Sequence, residues 1–193
     1  MSELASLRTE NDIRRWKMYA TEDEYFEMRY RAASEGRVDI LRAFVHSSWD
    51  ADLEDNDGLA AIHHAIMGGH IDVVRALVDD YGADVNRWDD DLQTALHYAA
   101  NYGHVDIAKF LLEHGANVNA EDEEGDTVGN DKDEVPLHYA VKYDHIDVVK
   151  LLLERESNVN VKDRNGFTPL LLAKQLERYD IVELLRGGIT RDC

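Results

Sequence analysis

The chain has 193 residues, 44% of them hydrophobic, with 40 acidic against 21 basic residues and a net charge of −19. That hydrophobic share supports a continuous core and excludes a disordered acidic chain. No apolar run approaches the roughly 18 residues that cross a membrane, and the charge repels polyanionic nucleic acid, whose binding rests on Lys/Arg neutralising phosphates.

The N-terminus, MSELASLRTENDIRRWK, has no apolar stretch resembling a signal peptide. The one cysteine, Cys193, has no internal disulfide partner, and a prenylation box needs its cysteine fourth from the end. Together these predict a cytoplasmic, reducing location, or a host cytoplasm or nucleus for a secreted effector.

Residues 1–24 are predicted to form an N-terminal cap helix or extension, with Ile13, Trp16 and Ala20 at helical spacing and Asn11 or Asp12 able to cap. Thr21-Glu22-Asp23-Glu24 reads as a capping box that opens a helix over 22–34. From there a segment returns: GLAAIHHAIMGGHIDVVRALV from Gly58, DLQTALHYAANYGHVDIAKFLLEHGANVN from Asp91, VPLHYAVKYDHIDVVKLLLERESNVN from Val135. Weaker copies start at Arg31 and Gly166. Asp39, Asp72, Asp106, Asp147 and Asp180 fix the register, with steps of 33, 34, 41 and 33 residues.

Such a period marks a solenoid, because one helix pair cannot bury its apolar face without stacking on neighbours. Each unit has a short apolar helix, such as 95–101, that ends near Gly36, Gly69 or Gly103, then a second helix such as 105–113 with Ile107, Phe110 and Leu111 on one face. Asp144 stands where the fourth unit would carry that glycine, which predicts a strained or altered turn. The predicted fold is all-α, a solenoid of helix-turn-helix units joined by polar turns. Its repeat domain spans 25–193, as 25–55, 56–89, 90–122, 123–163 with an insertion at 128–135, and a C-terminal cap at 164–193.

Thr94-Ala95-Leu96-His97-Tyr98-Ala99, Val135-Pro136-Leu137-His138-Tyr139-Ala140, Thr168-Pro169-Leu170 and the looser Ala60-Ala61-Ile62-His63-His64-Ala65 resemble the TPLHxA signature of ankyrin repeats. Gly82-Ala83-Asp84-Val85-Asn86 and Gly115-Ala116-Asn117-Val118-Asn119 complete the pattern. The resemblance implies a protein-interaction module without catalytic activity, binding through a concave groove and its projecting hairpin-like turns. It places partner-binding positions at Trp88, Asp90, Asp91, Gln93, Glu121, Glu123, Glu124 and Asp126 on the turns, with Asn56, Asp57 and Leu59. On the groove side it places Asn101, Tyr102, Lys142 and Tyr143, with Met67.

No catalytic, cofactor-binding or metal-binding residue is expected. His63/His70, His97/His104 and His138/His145 are each seven apart, a regularity of structural positions that tie one unit to the next, whereas zinc needs converging ligands in a closed set. No nucleophile elbow, phosphate loop or metal-helix motif is present. The turns are acidic: 50–57 holds five acids and no base, 79–91 six acids and one arginine, and 121–134 eight acids and one lysine. These acids fit either solubility or a strip for a basic segment of a partner.

The expected function is therefore non-catalytic protein binding by a monomer, as scaffold, adaptor or competitive inhibitor, with no nucleic acid, membrane or cofactor involved. The alternative is a regulatory or structural subunit of an enzyme complex that docks through the helical back face. Trp88, followed by Asp89-Asp90-Asp91, either folds back against Leu92 or anchors a partner inside an acidic rim.

Overall fold

In the computed structural model the described residues are 7, 9–44, 50–122 and 134–189. They form α1 (Glu10–Lys17), α2 (Glu22–Ser34), α3 (Val38–Phe44), α4 (Ala61–Met67), α5 (Ile71–Arg75, continued by a π-turn at Ala76–Asp80), α6 (Ala95–Tyr102), α7 (Val105–Glu113), α8 (Pro136–Lys142), α9 (Ile146–Glu154), α10 (Pro169–Gln175) and α11 (Tyr179–Ile189). The predicted all-α pattern of paired helices is the one observed, and the only pairing outside helices among the described residues is isolated bridges, Glu54 with Ala60 and Trp88 with Thr94. None of these helices is long and apolar enough to cross a membrane.

The helices fall into two compact units, Met1–Asp84 and Val85–Cys193. In the first, α2 packs on α4, α4 on α5 and α1 on α3. The start of α1 corrects the sequence expectation: Thr9, rather than Asn11 or Asp12, is the N-cap. Asp12 instead accepts from the Thr9 N–H at 2.9 Å while its own N–H donates to the Thr9 hydroxyl oxygen at 3.2 Å. Thr21 and Glu24 make the same reciprocal pair for α2, as predicted.

The π-turn accounts for the irregular step of 34. His70 to Gly82 is one residue longer than His104 to Gly115, and the second helix absorbs the extra residue by widening over Ala76–Asp80. Burial is kept, because Ala76 and Leu77 still face the interior.

In the second unit α6 packs on α8 and α8 on α10, while α7 packs on α9 and α9 on α11. The second helices repeat one buried pattern: Ile107, Ala108, Phe110 and Leu111 on α7 recur as Val148, Val149, Leu151 and Leu152 on α9. Backbone-to-side-chain bonds join neighbouring pairs. His97 accepts from the Thr94 N–H through Nδ1 at 3.0 Å and reaches the Glu134 carbonyl through Nε2 at 3.1 Å. His138 does the same between Val135 and Phe167, and the Asn119 side chain accepts from the Asn158 N–H at 2.7 Å. His97 and His138 thus tie one helix pair to the next.

Gly103 ends α6 at φ +72, where a Cβ would lie 2.5 Å from His145 Nδ1, so both conformation and packing require glycine. Asp144 takes the corresponding place at φ +64, and there the next pair presents Arg178, whose guanidinium lies 3.4 Å from the Asp144 carboxylate. Glu156 is left-handed too, at φ +63, in the place Gly115 holds one pair earlier. A left-handed L-residue costs about 1–2 kcal/mol, and glycine returns part of that gain as unfolded-state entropy. Glu156→Gly is therefore expected to stabilise the fold by about 0.5–1 kcal/mol, read as a higher melting temperature; an unchanged or lower one contradicts the strain.

Val135 is the last residue of the insertion expected at 128–135. The structure makes Val135 the buried N-cap residue of α8, in the place Thr94 takes for α6 and Thr168 for α10. Residues 128–133 lie outside the described residues.

Candidate functional site: the Trp88 turn and its groove

Three turns are built on one hydrogen-bond plan around an aspartate. Asp55, Asp89 and Asp163 each accept, through Oδ1, from the amides two and four residues on: Asp57 and Leu59, Asp91 and Gln93, Asn165 and Phe167. The backbone closes the same way in all three, with Asp55 N–H to Leu59 C=O, Asp89 N–H to Gln93 C=O and Asp163 N–H to Phe167 C=O at 3.0, 3.1 and 2.9 Å. Asp89 is only 5% exposed. It is a structural member of the turn and not part of an exposed acidic rim, which corrects the reading of Asp89-Asp90-Asp91 as one rim. The signal was available in the sequence, since Asp55, Asp89, Asp122 and Asp163 follow the repeat register.

The other carboxylate oxygen fastens the Asp55 and Asp89 turns to the helix that follows, and Asp122 is fastened in the same way. Tyr98 on α6 donates to Asp89 at 2.6 Å, Tyr139 on α8 donates to Asp122, and His64 Nε2 meets Asp55 at 2.7 Å. Burial, then the Asp89 carboxylate accepting its proton, pushes the Tyr98 phenol well above its ordinary range. Burial works to raise the Asp55 carboxyl, but the His64 hydrogen bond and the Leu59 and Asp57 amides hold it below its usual value. These latches make the turns rigid platforms, which is what a binding surface needs.

On this platform Trp88 is 55% exposed, though it is paired through its backbone with Thr94. It lines a groove of about 490 Å³ with Asn86, Leu92, Thr94, Asn117, Ala120 and Glu121. Asn86 and Asn117 are held to each other, the Asn117 N–H donating to the Asn86 side chain at 2.7 Å. Two predicted residues, Trp88 and Glu121, thus meet in one groove. Asp90 and Asp91 are exposed on the same turn. Gln93 is half-buried, with its backbone committed to Asp89.

The helix-borne positions form a second group at the ends of α6 and α8. Tyr102 and Tyr143 are 44% and 48% exposed, and each stacks on a histidine, His104 and His145, with ring planes 13° and 27° apart. Asn101 is half-buried, its carbonyl bonded to His145 Nε2 at 2.9 Å. Lys142 is half-buried, its ammonium 3.9 Å from Glu134 and 5.6 and 5.8 Å from the Tyr139 and Tyr143 rings. Glu123, Glu124 and Asp126 lie outside the described residues. Among the described residues no grouping of three or more His, Cys, Asp or Glu could hold a metal ion.

A family model described as ankyrin repeats (3 copies) matches residues 30–122 and 124–191. Among curated proteins, Apoptosis-stimulating of p53 protein 2 of Homo sapiens and that of Mus musculus are each 36% identical over 55 residues, which is 28% of this chain. Those 55 residues span 5% of the relatives' own length.

Proposed function

Because this chain belongs to the ankyrin-repeat family, whose repeats are protein–protein interaction modules and typically non-catalytic, we propose that it binds a partner protein through the Trp88 groove and the exposed ends of α6 and α8. It acts there as a scaffold, adaptor or competitive inhibitor, with α1 serving as the N-terminal cap of about five helix pairs. The observation that carries this reading is the half-exposed indole of Trp88 beside an apolar groove on a turn fixed by buried Asp89. An exposed indole leaves a large apolar area in water, and tryptophan is enriched among residues whose truncation weakens interfaces most.

Apart from Tyr179 at the start of α11 and Met18 and Tyr19 after α1, the placement of exposed apolar side chains favours the groove over the helical back face. Leu53 and Trp88 lie on the turns, and Tyr102, Tyr143 and Leu171 lie on or beside the first helices of their pairs. On α7 and α9 the exposed positions are instead charged, among them Asp106, Lys109, Asp147 and Lys150. Docking through the back face would need an apolar patch on these second helices.

The test is Trp88→Ala, measured for binding and for unfolding. Loss of about 2 kcal/mol or more of affinity with unchanged stability is expected of an interface anchor. A clear fall in stability with intact affinity ends this reading.

Exposed Asp90, Asp91 and Glu121 fit a partner with a basic segment. Charges of this kind act mainly on the rate of encounter and are screened over about 8–10 Å at physiological ionic strength. Association measured by stopped flow is expected to slow as salt rises. A rate independent of salt assigns the acids to solubility alone.

A further inference from the structure

The turns at Asp55, Asp89 and Asp163 share every backbone bond described above, but at the third residue after the aspartate two carry glycine and one does not. Gly58 and Gly166 sit at φ +73 and +78, each donating its N–H to the turn aspartate's carbonyl at 3.2 and 2.8 Å. Leu92 holds the same place at φ +57 and makes the same bond to Asp89 at 3.0 Å. A left-handed backbone disfavours any residue with a Cβ, and a bulky apolar one gains no local hydrogen bond in return. The other non-glycine residues at positive φ, Asp144, Glu156 and Glu177, are polar and exposed. Leu92 alone among these is apolar, and it is half-buried in the wall of the groove beside Trp88.

Strain kept where glycine fits without cost points to a use for the side chain. We propose that Leu92 is a specificity-determining contact: with Trp88 and Ala120 it forms an apolar slot that takes one large aliphatic or aromatic side chain of a partner segment, while Glu121 and the exposed Asp90 and Asp91 select an adjacent arginine or lysine. The occupant follows from complementarity, since Trp88, Leu92 and Ala120 make most of the groove's lining apolar, Glu121 also lines it, and Asp90 and Asp91 are exposed on the same turn. A partner segment with an acid beside its apolar residue would bring like charges together. This inference rests on Trp88 being a partner anchor and adds a second residue and a recognition rule to it.

Short random peptides displayed on phage are selected on the full chain and counter-selected on its Trp88→Ala variant. Clones that survive both steps are expected to carry a large apolar residue next to arginine or lysine. Against Leu92→Gly they are expected to bind about ten-fold more weakly or worse, the affinity that burying part of a leucine side chain supplies. The same variant is expected to unfold at higher urea than the parent, because glycine relieves the backbone. Opposite movement of affinity and stability in one substitution is what a merely structural leucine does not produce. Full affinity in Leu92→Gly overturns the role of Leu92 and leaves that of Trp88 standing. A lowered urea midpoint overturns the strain, and enriched clones without a basic residue overturn the acidic selection. If no clone distinguishes the parent from Trp88→Ala, the groove does not bind peptides and both readings fall.

Discussion

Leu111→Ala is expected to lower the free energy of unfolding by about 2–5 kcal/mol. Leu111 is fully buried on α7, within the stack of α7, α9 and α11. Truncation removes apolar area from the core and leaves a cavity, because close-packed neighbours on α7 and α9 relax only partly. Leu96, Leu137 and Leu152 are equally buried, and the same loss is expected at each. In stacked repeats the contacts between neighbours carry much of the stability, so one such loss is a large part of the roughly 5–15 kcal/mol typical of a domain. Exposed Lys109 on the same helix is the control, where alanine changes stability by about 0.5 kcal/mol or less. Urea unfolding of the two variants checks the expectation. An unchanged midpoint for Leu111→Ala shows that the helix-pair register assigned here is wrong.

Acidification from pH 6.5 towards 4 is expected to destabilise the fold by on the order of 3 kcal/mol through His97 alone. Burial holds the His97 imidazole down to about 4, from an ordinary 6.5, against the opposing pull of the Glu134 and Ala120 carbonyls. Its Nδ1 already accepts from the Thr94 N–H, so a second proton placed there breaks that bond. The sign follows from proton uptake. Above pH 6.5 neither folded nor unfolded chain protonates this ring; between 6.5 and about 4 the unfolded chain binds a proton that the folded one refuses. Stability is thus complete above 6.5, falls as pH falls through this window, and levels off near 4. Burial lowers His138 as well, which adds in the same direction. Relief of self-repulsion at net charge −19 works the other way, so the informative quantity is the difference between parent and His97→Gln. The parent's urea midpoint should fall more steeply between pH 7 and 4.5 than the variant's. Parallel profiles remove His97 as the acid-sensitive group.

By itself the amino-acid sequence determined the helix pairs and their phase. Leu96 and Leu137 recur at one place in the period and Leu111 and Leu152 at another, and apolar spacing within a helix is a local property that needs no knowledge of neighbours. The capping box at Thr21 and the structural histidines were legible for the same reason, because their partners lie within three residues or one repeat. Tertiary structure alone decided which acids are buried and which apolar groups stay wet. Asp89 and Asp90 are adjacent and chemically identical, yet the first is held by the Asp91 and Gln93 amides and Tyr98 while the second faces water. The step of 34 was visible as a number, but only the helix backbone shows it absorbed as a π-turn at Ala76–Asp80. Leu92 in the place of a glycine was visible too, whereas its left-handed backbone and its position beside Trp88 depend on how the turn closes. Exposure and strain are set by what the rest of the chain packs against a residue, and that is not written in the residue's own neighbourhood.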